Sequence, residues 1–371
     1  MSGERAALDR TVPAEVTWKR IETLARGIGV TRVADVTWLD CTGICVHQAI
    51  RPGARSLSVS QGKGLRPIES KVAATMEAIE VWHAEEVAVG LPRRSARSLS
   101  SRLSYDVAEL RLAPMTLLTP GVELDWVPAR ALPDCEETFV PHPVVSLDLC
   151  LDDHWSPPLF VRSSDGLASG NSASEAALHG LFEVVEREAV ARSRATGRSV
   201  PLPRPAAERV GPRSSELLRT LDAAGLSWGL WDCTGPCDLP CYAAAVASPS
   251  FPEAAAGFGC HLDGDAALSA AIMEAVQGRV AAIAGSRDDL PAALPRWLPT
   301  RHDGPSPAGL AGCGSGLVPA LRPEASIAGD VREVVERLTR EAGRSPLVVD
   351  LTSEMDIPVV KVVAPGLARR P

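Results

Sequence analysis

Lysine is scarce in this chain. Only Lys19, Lys63, Lys71 and Lys361 occur among 38 basic residues, and the others are arginines. The 46 acidic residues outnumber the basic ones, and the formal net charge of −8 argues against a general binder of nucleic acids or anionic membranes. Each lysine that remains in so arginine-rich a sequence is therefore worth considering as a functional residue.

Signals for a membrane or for export are also missing. No stretch is long and apolar enough to predict a membrane span, and residues 1–10 lack the apolar core of a signal peptide. Nine cysteines in 371 residues do not suggest a secreted disulfide scaffold, and an odd number cannot all pair within the chain. These absences predict a cytoplasmic protein.

Neither of the usual nucleotide-binding loops occurs in the sequence. There is no G-x-x-x-x-G-K-[ST] phosphate loop and no convincing G-x-G-x-x-G turn. The glycine-rich run at residues 312–316 could surround a phosphate, but a flexible turn is favoured because no helical pattern follows it. The sequence therefore gives no sign of either of these common nucleotide sites.

One short pattern occurs three times and predicts the fold class. An apolar run, the triplet Asp-x-Thr, a small polar stretch and a second apolar run follow one another around Asp35, Asp232 and Asp350. Apolar runs that are rich in β-branched residues and split by turn-forming residues are typical of strand–turn–strand hairpins. The irregular spacing excludes a solenoid. We therefore predict an α/β fold in which three related hairpin-plus-helix subunits surround one centre.

Helical periodicity occurs between the hairpins. It covers residues 67–87, 172–194 and 265–284, and Asp265 is the expected N-cap of the third helix. Residues 285–323 are rich in Gly, Pro, Arg and Asp and lack periodicity. We predict that this stretch is a loop or an insertion.

The first predicted helix has an isolated pair of acids. Glu77 and Glu80 are the only charged residues of the apolar run 72–82, and at a spacing of three they share one helix face. Buried carboxylates are costly unless they are paired or bind a metal ion. A half-exposed helix with a solvated edge is the alternative for this segment taken alone.

The second helix has a longer acidic stripe. Glu175, His179, Glu183 and Glu186 fall within an arc of roughly 80° at about 100° per residue, and Asn171 lies one turn before them. An amphipathic surface helix is the ordinary alternative, but its polar stripe usually mixes charges of both signs. At about 4 Å and an effective dielectric constant near 20, each close pair of like charges costs on the order of 4 kcal/mol. A bound divalent cation would remove that cost.

Magnesium is the cation that these donors predict. It prefers oxygen ligands and usually joins a few carboxylates to substrate phosphates, so five glutamates on two helices could hold two ions and a triphosphate. Lys63 lies just before the first acidic helix, between glycines that permit close backbone approach to an anion. A solvent-exposed turn lysine is the alternative for this residue.

Taken together, these segments are similar to the YcaO family of ATP-dependent peptide-modifying enzymes. The matching pieces are SQGKG followed by MEAIE, GNSASEAALHGLFEVVER, ALSAAIMEAVQGR and the repeated Asp-x-Thr hairpins, from about residue 32 to residue 366. The resemblance implies an α/β fold around an unusual ATP and Mg²⁺ site made of glutamates. It also implies a catalytic domain over residues 31–371 and an N-terminal segment, residues 1–30, that contributes to the nucleotide site.

The resemblance also implies roles for individual residues. The implied magnesium ligands are Glu77, Glu80, Glu175, Glu183 and Glu186. The ATP-binding candidates are Arg10, Thr17, Lys63, Glu77, Asn171, Arg187 and Arg279. The chain departs from the family pattern at Ala73 and Ala168, where the family commonly has serine, although Ser169 is adjacent to Ala168. It also has His179 in place of a common glutamine and Val81 in place of a common arginine. None of these departures removes a carboxylate, so they indicate a divergent branch rather than an inactive enzyme.

The implied reaction is activation of a peptide backbone amide by phosphorylation of its oxygen, after a nucleophile has added to the carbonyl. A neighbouring Cys, Ser or Thr side chain as nucleophile gives an azoline ring, and an external sulfide gives a thioamide. SQGKG with MEAIEVWHAEE is similar to the branch that works with a TfuA-type partner, and residues 366–371 lack a Pro-x-Pro-x-Pro tail. Both features favour thioamide formation.

The implied partners are a precursor peptide or protein as substrate and a TfuA-like protein, with no nucleic acid and no membrane. The sequence leaves open whether the protein forms a homodimer. It also leaves open two other functions: that of a non-catalytic homologue that binds nucleotide or peptide, and that of an ATP-dependent enzyme that acts on a small molecule or an intact protein.

Cysteines repeat in two of the hairpins. Asp-Cys-Thr-Gly-x-Cys occurs at Cys41 and Cys45 and again at Cys233 and Cys237, with Cys241 following. Three intervening residues differ from the Cys-x-x-Cys spacing of most metal sites. Buried structural thiols are therefore favoured over a role in zinc binding or sulfur transfer.

Overall fold

The computed structural model describes residues 10–150, 157–196, 199–286 and 326–367, without side-chain positions for residues 252 and 253. Nearly all of the loop predicted at 285–323, including the run 312–316, therefore lies outside the described residues. The helices are α1 Ala14–Gly27, α2 Pro67–Glu85, α3 His142–Val145, α4 Ala173–Thr196, α5 Arg204–Ala207, α6 Pro212–Ala223, α7 Gly264–Ala284 and α8 Ile327–Ala342. The strands are β1 Arg32–Asp35, β2 Cys45–Ile50, β3 Val59–Gly64, β4 Leu91–Ser95, β5 Glu123–Ala131, β6 Glu136–Pro141, β7 Leu167–Ser169, β8 Val200–Pro201, β9 Ser227–Asp232, β10 Cys241–Ser248, β11 Phe251–Cys260, β12 Leu347–Asp350 and β13 Val359–Val363.

Three sheets contain these strands, and each sheet includes one of the predicted hairpins. The strand orders are β1-β2-β3, then β11-β10-β9-β8, then β4-β5-β12-β13-β7 with β6 paired to β5. The hairpins β1–β2, β9–β10 and β12–β13 are all antiparallel. The α/β fold with three related hairpins is confirmed.

The Asp-x-Thr triplet makes the same turn in each hairpin. The aspartate carboxylate accepts the N–H of the threonine two residues later, at 3.0 Å for Asp35, 2.8 Å for Asp232 and 2.9 Å for Asp350. Each threonine hydroxyl oxygen then accepts an N–H at the start of the returning strand, at 3.1, 3.2 and 3.3 Å respectively. Short polar side chains that bond the nearby backbone in this way stabilise a turn. The triplet therefore fixes where each hairpin reverses.

One long helix covers each hairpin. Helix α2 packs on β2 and β3, α7 on β10 and β11, and α4 on β7 and β13. In each unit the third strand leads directly into the helix, as β3 into α2, β7 into α4 and β11 into α7. The third unit is permuted, because β7 and α4 come before the hairpin β12–β13 in the chain. Its helix is also the one that packs against α8.

Glycines allow two of these helices to approach their strands closely. A Cβ atom on Gly62 in β3 would lie 2.2 Å from the backbone nitrogen of Ala74 in α2. A Cβ atom on Gly257 in β11 would lie 2.2 Å from the backbone nitrogen of Ala275 in α7. Real Cβ atoms do not approach other atoms so closely, so a side chain at either position would push helix and strand apart.

The start of α7 corrects one prediction. Its N-cap is Asp263, whose carboxylate accepts the N–H groups of Asp265 and Ala266. Asp265 accepts instead from the backbone N–H groups of Arg213 and Ser214, at 3.0 and 2.9 Å, and so satisfies the N-terminus of α6. The predicted N-cap was wrong because two nearby aspartates bond two different helix starts, and this depends on tertiary packing.

Helix α7 is also long and apolar enough to cross a membrane by length and composition. No such stretch was expected from the sequence. Ile272, Val276 and Val280 of this helix are fully buried in a core cluster, and α7 packs against β10, β11 and α6. A core helix meets the same criteria as a membrane span, and the contacts of α7 are those of a core helix.

Candidate functional site

Glutamates occupy equivalent places on the three long helices. Glu77, Glu183 and Glu274 each lie ten residues after the first residue of α2, α4 and α7. Three residues further along, the same helices have Glu80, Glu186 and Gln277. Because the three units share one architecture, equivalent helix positions point toward the same centre.

A backbone N–H from the chain next to the helix holds each glutamate of the first set. Glu77 accepts from Gln61 at 3.2 Å, and Glu183 accepts from Gly166 at 3.2 Å. Glu274 accepts from the backbone of Phe258. The three carboxylates are therefore oriented by the same kind of contact, in or beside the third strand of each unit.

The carboxylates converge at the centre of the three units. Glu77 and Glu183 both act electrostatically on Glu80, while Glu274 and Glu183 act on Glu186. We call these five side chains the acidic cleft. The side chains of Glu183, Glu186 and Glu274 are 23%, 12% and 27% exposed. A ligand from solvent can therefore reach them.

Burial and mutual repulsion keep protons on part of the acidic cleft. Burial raises the pKa of Glu80 to about 8, and the charges of Glu77 and Glu183 contribute to the rise. Burial also raises the pKa of Glu186 to about 8, with a further contribution from Glu274. Carboxyl groups that resist ionisation in this way gain from a bound cation, which favours their charged form.

Lys63 and Arg187 form ion pairs with glutamates of the acidic cleft. Lys63 Nζ lies 2.7 Å from Glu274 Oε2, and Arg187 lies 3.4 Å from Glu183 and 3.5 Å from Glu186. Burial would raise the pKa of Glu274, but the charges of Lys63 and Arg187 outweigh burial and lower it. Lys63 is therefore part of the cleft rather than an isolated surface lysine.

Ser169 joins the first and third units at the cleft. It donates to Glu80 Oε1 from its backbone N–H at 2.8 Å and from its hydroxyl at 2.5 Å. The sequence had shown Ala168 where the family pattern has a serine, with Ser169 adjacent. The hydroxyl of Ser169 supplies a direct contact with an acidic side chain, which the sequence did not predict.

A second polar group forms at the start of α4. Glu175 accepts from Arg10 Nη1 at 3.1 Å, from Thr11 N at 2.9 Å and Oγ1 at 2.8 Å, and from Asn171 Nδ2 at 3.0 Å. Thr17 Oγ1 donates to Asn171 Oδ1 at 2.8 Å. The structure thus brings together four predicted site residues that are far apart in the sequence. It adds Thr11, which the sequence analysis missed.

Glu175 does not join the acidic cleft. Eight residues of α4 separate it from Glu183, which is about 12 Å at 1.5 Å per residue. Burial would raise its pKa, but hydrogen bonds from Thr11 and the charge of Arg10 outweigh burial and lower it. Its oxygens accept four hydrogen bonds from Arg10, Thr11 and Asn171. The assignment of Glu175 as a magnesium ligand stays a prediction. The contacts of Glu175 are those of an anchor for the N-terminal segment.

Arg279 also lies away from the acidic cleft. Its buried guanidinium pairs with Asp40 at 3.1 Å and donates to Ser248 Oγ at 2.9 Å and to the Phe251 carbonyl at 3.1 Å. Among the described residues, none of its contacts is with a glutamate of the cleft. These contacts attach the first hairpin loop to the second unit. The phosphate-facing role of Arg279 stays a prediction.

The acidic cleft suits magnesium that is shared with phosphates. Within the described part of the chain, no three acidic, imidazole or thiol groups are close enough to hold an ion by themselves. Mg²⁺ rarely needs such a cage, because it keeps waters and usually binds one or two carboxylates plus phosphate oxygens. Glu77, Glu80, Glu183 and Glu186 are the residues that would hold it.

The repeated cysteines fit a structural interpretation. Cys233, Cys237 and Cys241 are buried in a hydrophobic core cluster, whereas Cys41 is exposed. Burial raises the pKa of Cys233 to about 12 and that of Cys237 to about 11. Thiols so far from ionisation are poor nucleophiles and poor metal ligands.

Known proteins are similar to this chain in sequence. Residues 61–368 match the family described as YcaO cyclodehydratase, ATP- and Mg²⁺-binding. An uncharacterised protein of Mycobacterium tuberculosis is 38% identical over 98% of this chain and 83% of its own length. An uncharacterised protein in the tfuA 3′ region of Rhizobium leguminosarum bv. trifolii is 31% identical over 97% of this chain and 88% of its own length.

A solved structure shows the same fold. The structure of YcaO from Methanopyrus kandleri bound with AMPPCP and Mg²⁺ has a TM-score of 0.72 and 23% identity, covering 96% of this chain and 92% of that chain. The family match extends over most of the sequence, and the predicted cofactors ATP and Mg²⁺ are those of the family. This chain therefore belongs to the YcaO family of ATP-dependent peptide-modifying enzymes.

Proposed function

We propose that this protein uses ATP and Mg²⁺ to phosphorylate the oxygen of a backbone amide in a ribosomally made peptide or protein. The observation that carries this proposal is the acidic cleft, in which carboxylates from three helices converge and form ion pairs with Lys63 and Arg187. A purely structural protein gains nothing from buried acids that repel one another. A purely structural role therefore leaves this feature unexplained, and a homologue that binds nucleotide without catalysis is distinguished by the experiment below.

The residues of the cleft divide between ion binding and phosphate binding. Bound Mg²⁺ would neutralise charge on the transferring phosphoryl group. Glu80 and Glu186 lose their protons when the ion binds, because a cation favours the ionised carboxylate. Lys63 and Arg187 supply N–H donors to phosphate oxygens, and Arg187 can offer two parallel donors. The contacts among Arg10, Thr11 and Glu175 hold the N-terminal segment at the start of α4.

Thioamide formation with a TfuA-like partner is the outcome we favour. Sulfide would add to the amide carbonyl, and the partner would present the peptide or the sulfur source. The support is the similarity of SQGKG with MEAIEVWHAEE to the TfuA-associated branch and the tfuA 3′ region named for the Rhizobium relative. Azoline formation on Cys, Ser or Thr is the second candidate, supported by the family description as a cyclodehydratase.

Phosphate release and intact-protein mass spectrometry test the proposal together. The protein is incubated with ATP, Mg²⁺, sulfide and candidate precursor peptides, with and without a TfuA-like protein. Azoline formation lowers the peptide mass by about 18 Da, and replacement of oxygen by sulfur raises it by about 16 Da. Phosphate release without a mass change in any peptide would indicate another substrate class. Nucleotide binding without phosphate release would indicate a non-catalytic homologue.

A further inference from the structure

A cavity lies beside the acidic cleft. Its volume is about 190 Å³, and Arg187 forms part of its wall. The same guanidinium lies 3.4 Å from Glu183 and 3.5 Å from Glu186. Arg187 therefore belongs both to the wall of the cavity and to the ion pairs of the cleft, and a group held in the cavity lies near the proposed phosphate site.

The wall of the cavity combines apolar and polar residues. Val161, Val184 and Leu367 contribute apolar surface, and Asp165, Glu188 and Lys361 contribute polar groups. The exposed residues Arg111 and Ala191 also belong to the wall. The cavity therefore opens to solvent at one end, and it can take a ligand with one apolar part and one polar part.

Lys361 is the unusual residue of this wall. It is only 3% exposed, and its Nζ donates to the Ser163 carbonyl oxygen at 2.6 Å. An ammonium group has three N–H donors. Among the described residues, that carbonyl is its one hydrogen-bond acceptor, while Glu183 and Asp165 act on it electrostatically. A buried lysine with donors to spare, at the wall of an open cavity, is suited to bind an oxygen atom of a ligand.

The size of the cavity limits what can occupy it. Pockets for drug-sized ligands span about 300–1,000 Å³, so about 190 Å³ is too small for ATP. A cavity of about 150 Å³ takes up benzene. One apolar side chain with an adjoining amide group is therefore of the right size.

We propose that this cavity holds the substrate residue whose backbone amide is activated, with its side chain against Val161, Val184 and Leu367 and its carbonyl oxygen bonded to Lys361. The inference rests on the proposed function for the nature of the reaction. It adds the substrate class, which is a peptide with a small or medium apolar residue at the modified position. It also assigns Lys361 as a catalytic residue.

The contact with Lys361 matters most in the first chemical step. When hydrosulfide adds to the carbonyl carbon, a C–S bond forms and the π electrons of the carbonyl move to its oxygen. Lys361 stabilises that oxyanion with N–H donors that are already in place. The oxyanion then attacks the γ-phosphorus, and the bond to ADP breaks. Loss of phosphate, with transfer of the S–H proton to it, leaves the C=S bond.

Occupancy of the cavity is tested without any enzyme activity. The probe is N-acetyl-valine N-methylamide, which has one apolar side chain between two amides. Saturation-transfer NMR with Mg²⁺ and AMPPCP present should show binding to the wild type. The larger N-acetyl-tryptophan N-methylamide should not bind. Absence of valine-probe binding to the wild type would overturn the assignment.

Two variants test whether the probe binds in this cavity. Ala191→Trp fills the exposed end and should abolish binding, and Lys361→Met should weaken it by about tenfold or more because a charged hydrogen bond is lost. Lys19→Met, at an exposed lysine on α1, should bind as the wild type does. All variants should bind AMPPCP normally. Equal probe binding by Ala191→Trp, Lys361→Met and the wild type would contradict the assignment.

Activity measurements then distinguish failure of this inference from failure of the proposed function. With a peptide that the wild type modifies, Lys361→Met should lower kcat for peptide-dependent phosphate release by about 10²–10³-fold, with KM for ATP unchanged. Full activity in Lys361→Met would remove the role of Lys361 and leave the proposed function intact. Probe binding in the cavity without any peptide modification by the wild type would keep the cavity as a ligand site and remove the proposed function.

Discussion

Several interactions meet at Glu183. It accepts the Gly166 N–H, pairs with Arg187 and raises the pKa of Glu80 by repulsion. Burial raises the pKa of Glu183 itself. The side chain is thus fixed in direction, but its ionised form is costly in this buried position. A bound cation would stabilise the ionised form, as expected for a metal-binding carboxylate.

Glu183→Gln should lower ATP turnover by about 100-fold or more, because the amide keeps the shape of the side chain but loses the charge that binds magnesium. The melting temperature should stay within about 2–4 °C of the wild type, which corresponds to a change of about 1 kcal/mol in the free energy of unfolding. Glu336→Gln, at an exposed position of α8, is the matched control. Turnover at the wild-type rate in Glu183→Gln would count against the site.

The proton affinity of Glu80 and Glu186 predicts how stability changes with pH. Both have a pKa of about 8 in the folded protein, against 4.5 for an ordinary glutamate. Between these values the folded state binds protons that the unfolded chain has released, so the free energy of unfolding decreases as pH rises. Magnesium bound at ionised carboxylates opposes that decrease.

Mg²⁺ with AMPPCP should therefore raise the melting temperature more at pH 8 than at pH 6. Calorimetric titration at pH 7 in two buffers of different ionisation enthalpy should show release of about one to two protons on binding. A Glu80→Gln/Glu186→Gln variant should release none of these protons. Equal stabilisation at both pH values, together with no proton release by the wild type, would contradict the raised pKa values.

Four glutamates of the cleft were predictable from the sequence, because acids at this spacing on a helix repel one another unless a cation binds them. Glu274 was not assigned, although this residue has the same helix position as Glu77 and Glu183. Comparing the three helices by position would have found it. Lys361 was noticeable as one of four lysines, but its cavity depends on side chains from distant segments. Pairings such as Ser169 with Glu80 depend on tertiary contacts that no local pattern encodes.

At the scale of the elements, the distance between helix and strand controls the acidic cleft. Gly62 lets α2 approach β3 until a Cβ atom would lie 2.2 Å from a backbone nitrogen. The neighbouring Gln61 donates its N–H to Glu77. Separation of α2 from β3 would therefore weaken packing and displace Glu77 at the same time.

Gly62→Ala should destabilise the fold by about 1–3 kcal/mol, because the extra methyl group overpacks the contact. It should also raise KM for ATP, since Glu77 moves with α2. Gly27→Ala, where a Cβ atom would meet nothing within 4 Å, is the control and should leave both properties unchanged. Thermal melting and steady-state kinetics measure the two effects. A stable, fully active Gly62→Ala variant would show that helix and strand are not held this closely.

The elements that repeat were the ones that the sequence predicted. The hairpins followed from Asp-x-Thr, and the three long helices followed from periodicity with small errors at their ends. Strands β4, β5 and β6 were not predicted, because they lie outside the repeats. The ion pair of Arg279 with Asp40 was not predicted, because Asp40 lies in the loop of another unit. Local patterns thus predict the repeated units, and contacts between units require the tertiary structure.

At the scale of the whole molecule, the three units are similar but not identical around the cleft. The position that holds Glu80 and Glu186 in two units holds Gln277 in the other. Gln277 Nε2 donates to Gln61 Oε1 at 3.3 Å, a contact that a carboxylate cannot make as a donor. This neutral residue keeps one further negative charge out of the centre.

Gln277→Glu should therefore lower the melting temperature in the absence of ligand, because a further buried carboxylate joins those already present. The loss should be greater at pH 8 than at pH 6, and Mg²⁺ with AMPPCP should reverse part of it. Gln277→Ala, which removes the same hydrogen bond without adding charge, separates the two causes. Identical melting curves for the Glu and Ala variants would show that charge at this position is unimportant.

The permuted third unit has a consequence for biosynthesis. β7 and α4, with Glu183 and Glu186, leave the ribosome long before β12 and β13, the strands on which they pack. The first unit, in contrast, is synthesised as one continuous stretch. The centre of the three units can therefore be completed only after β12 and β13 have been synthesised, so the acidic residues of α2, α4 and α7 come together late in the synthesis of this domain.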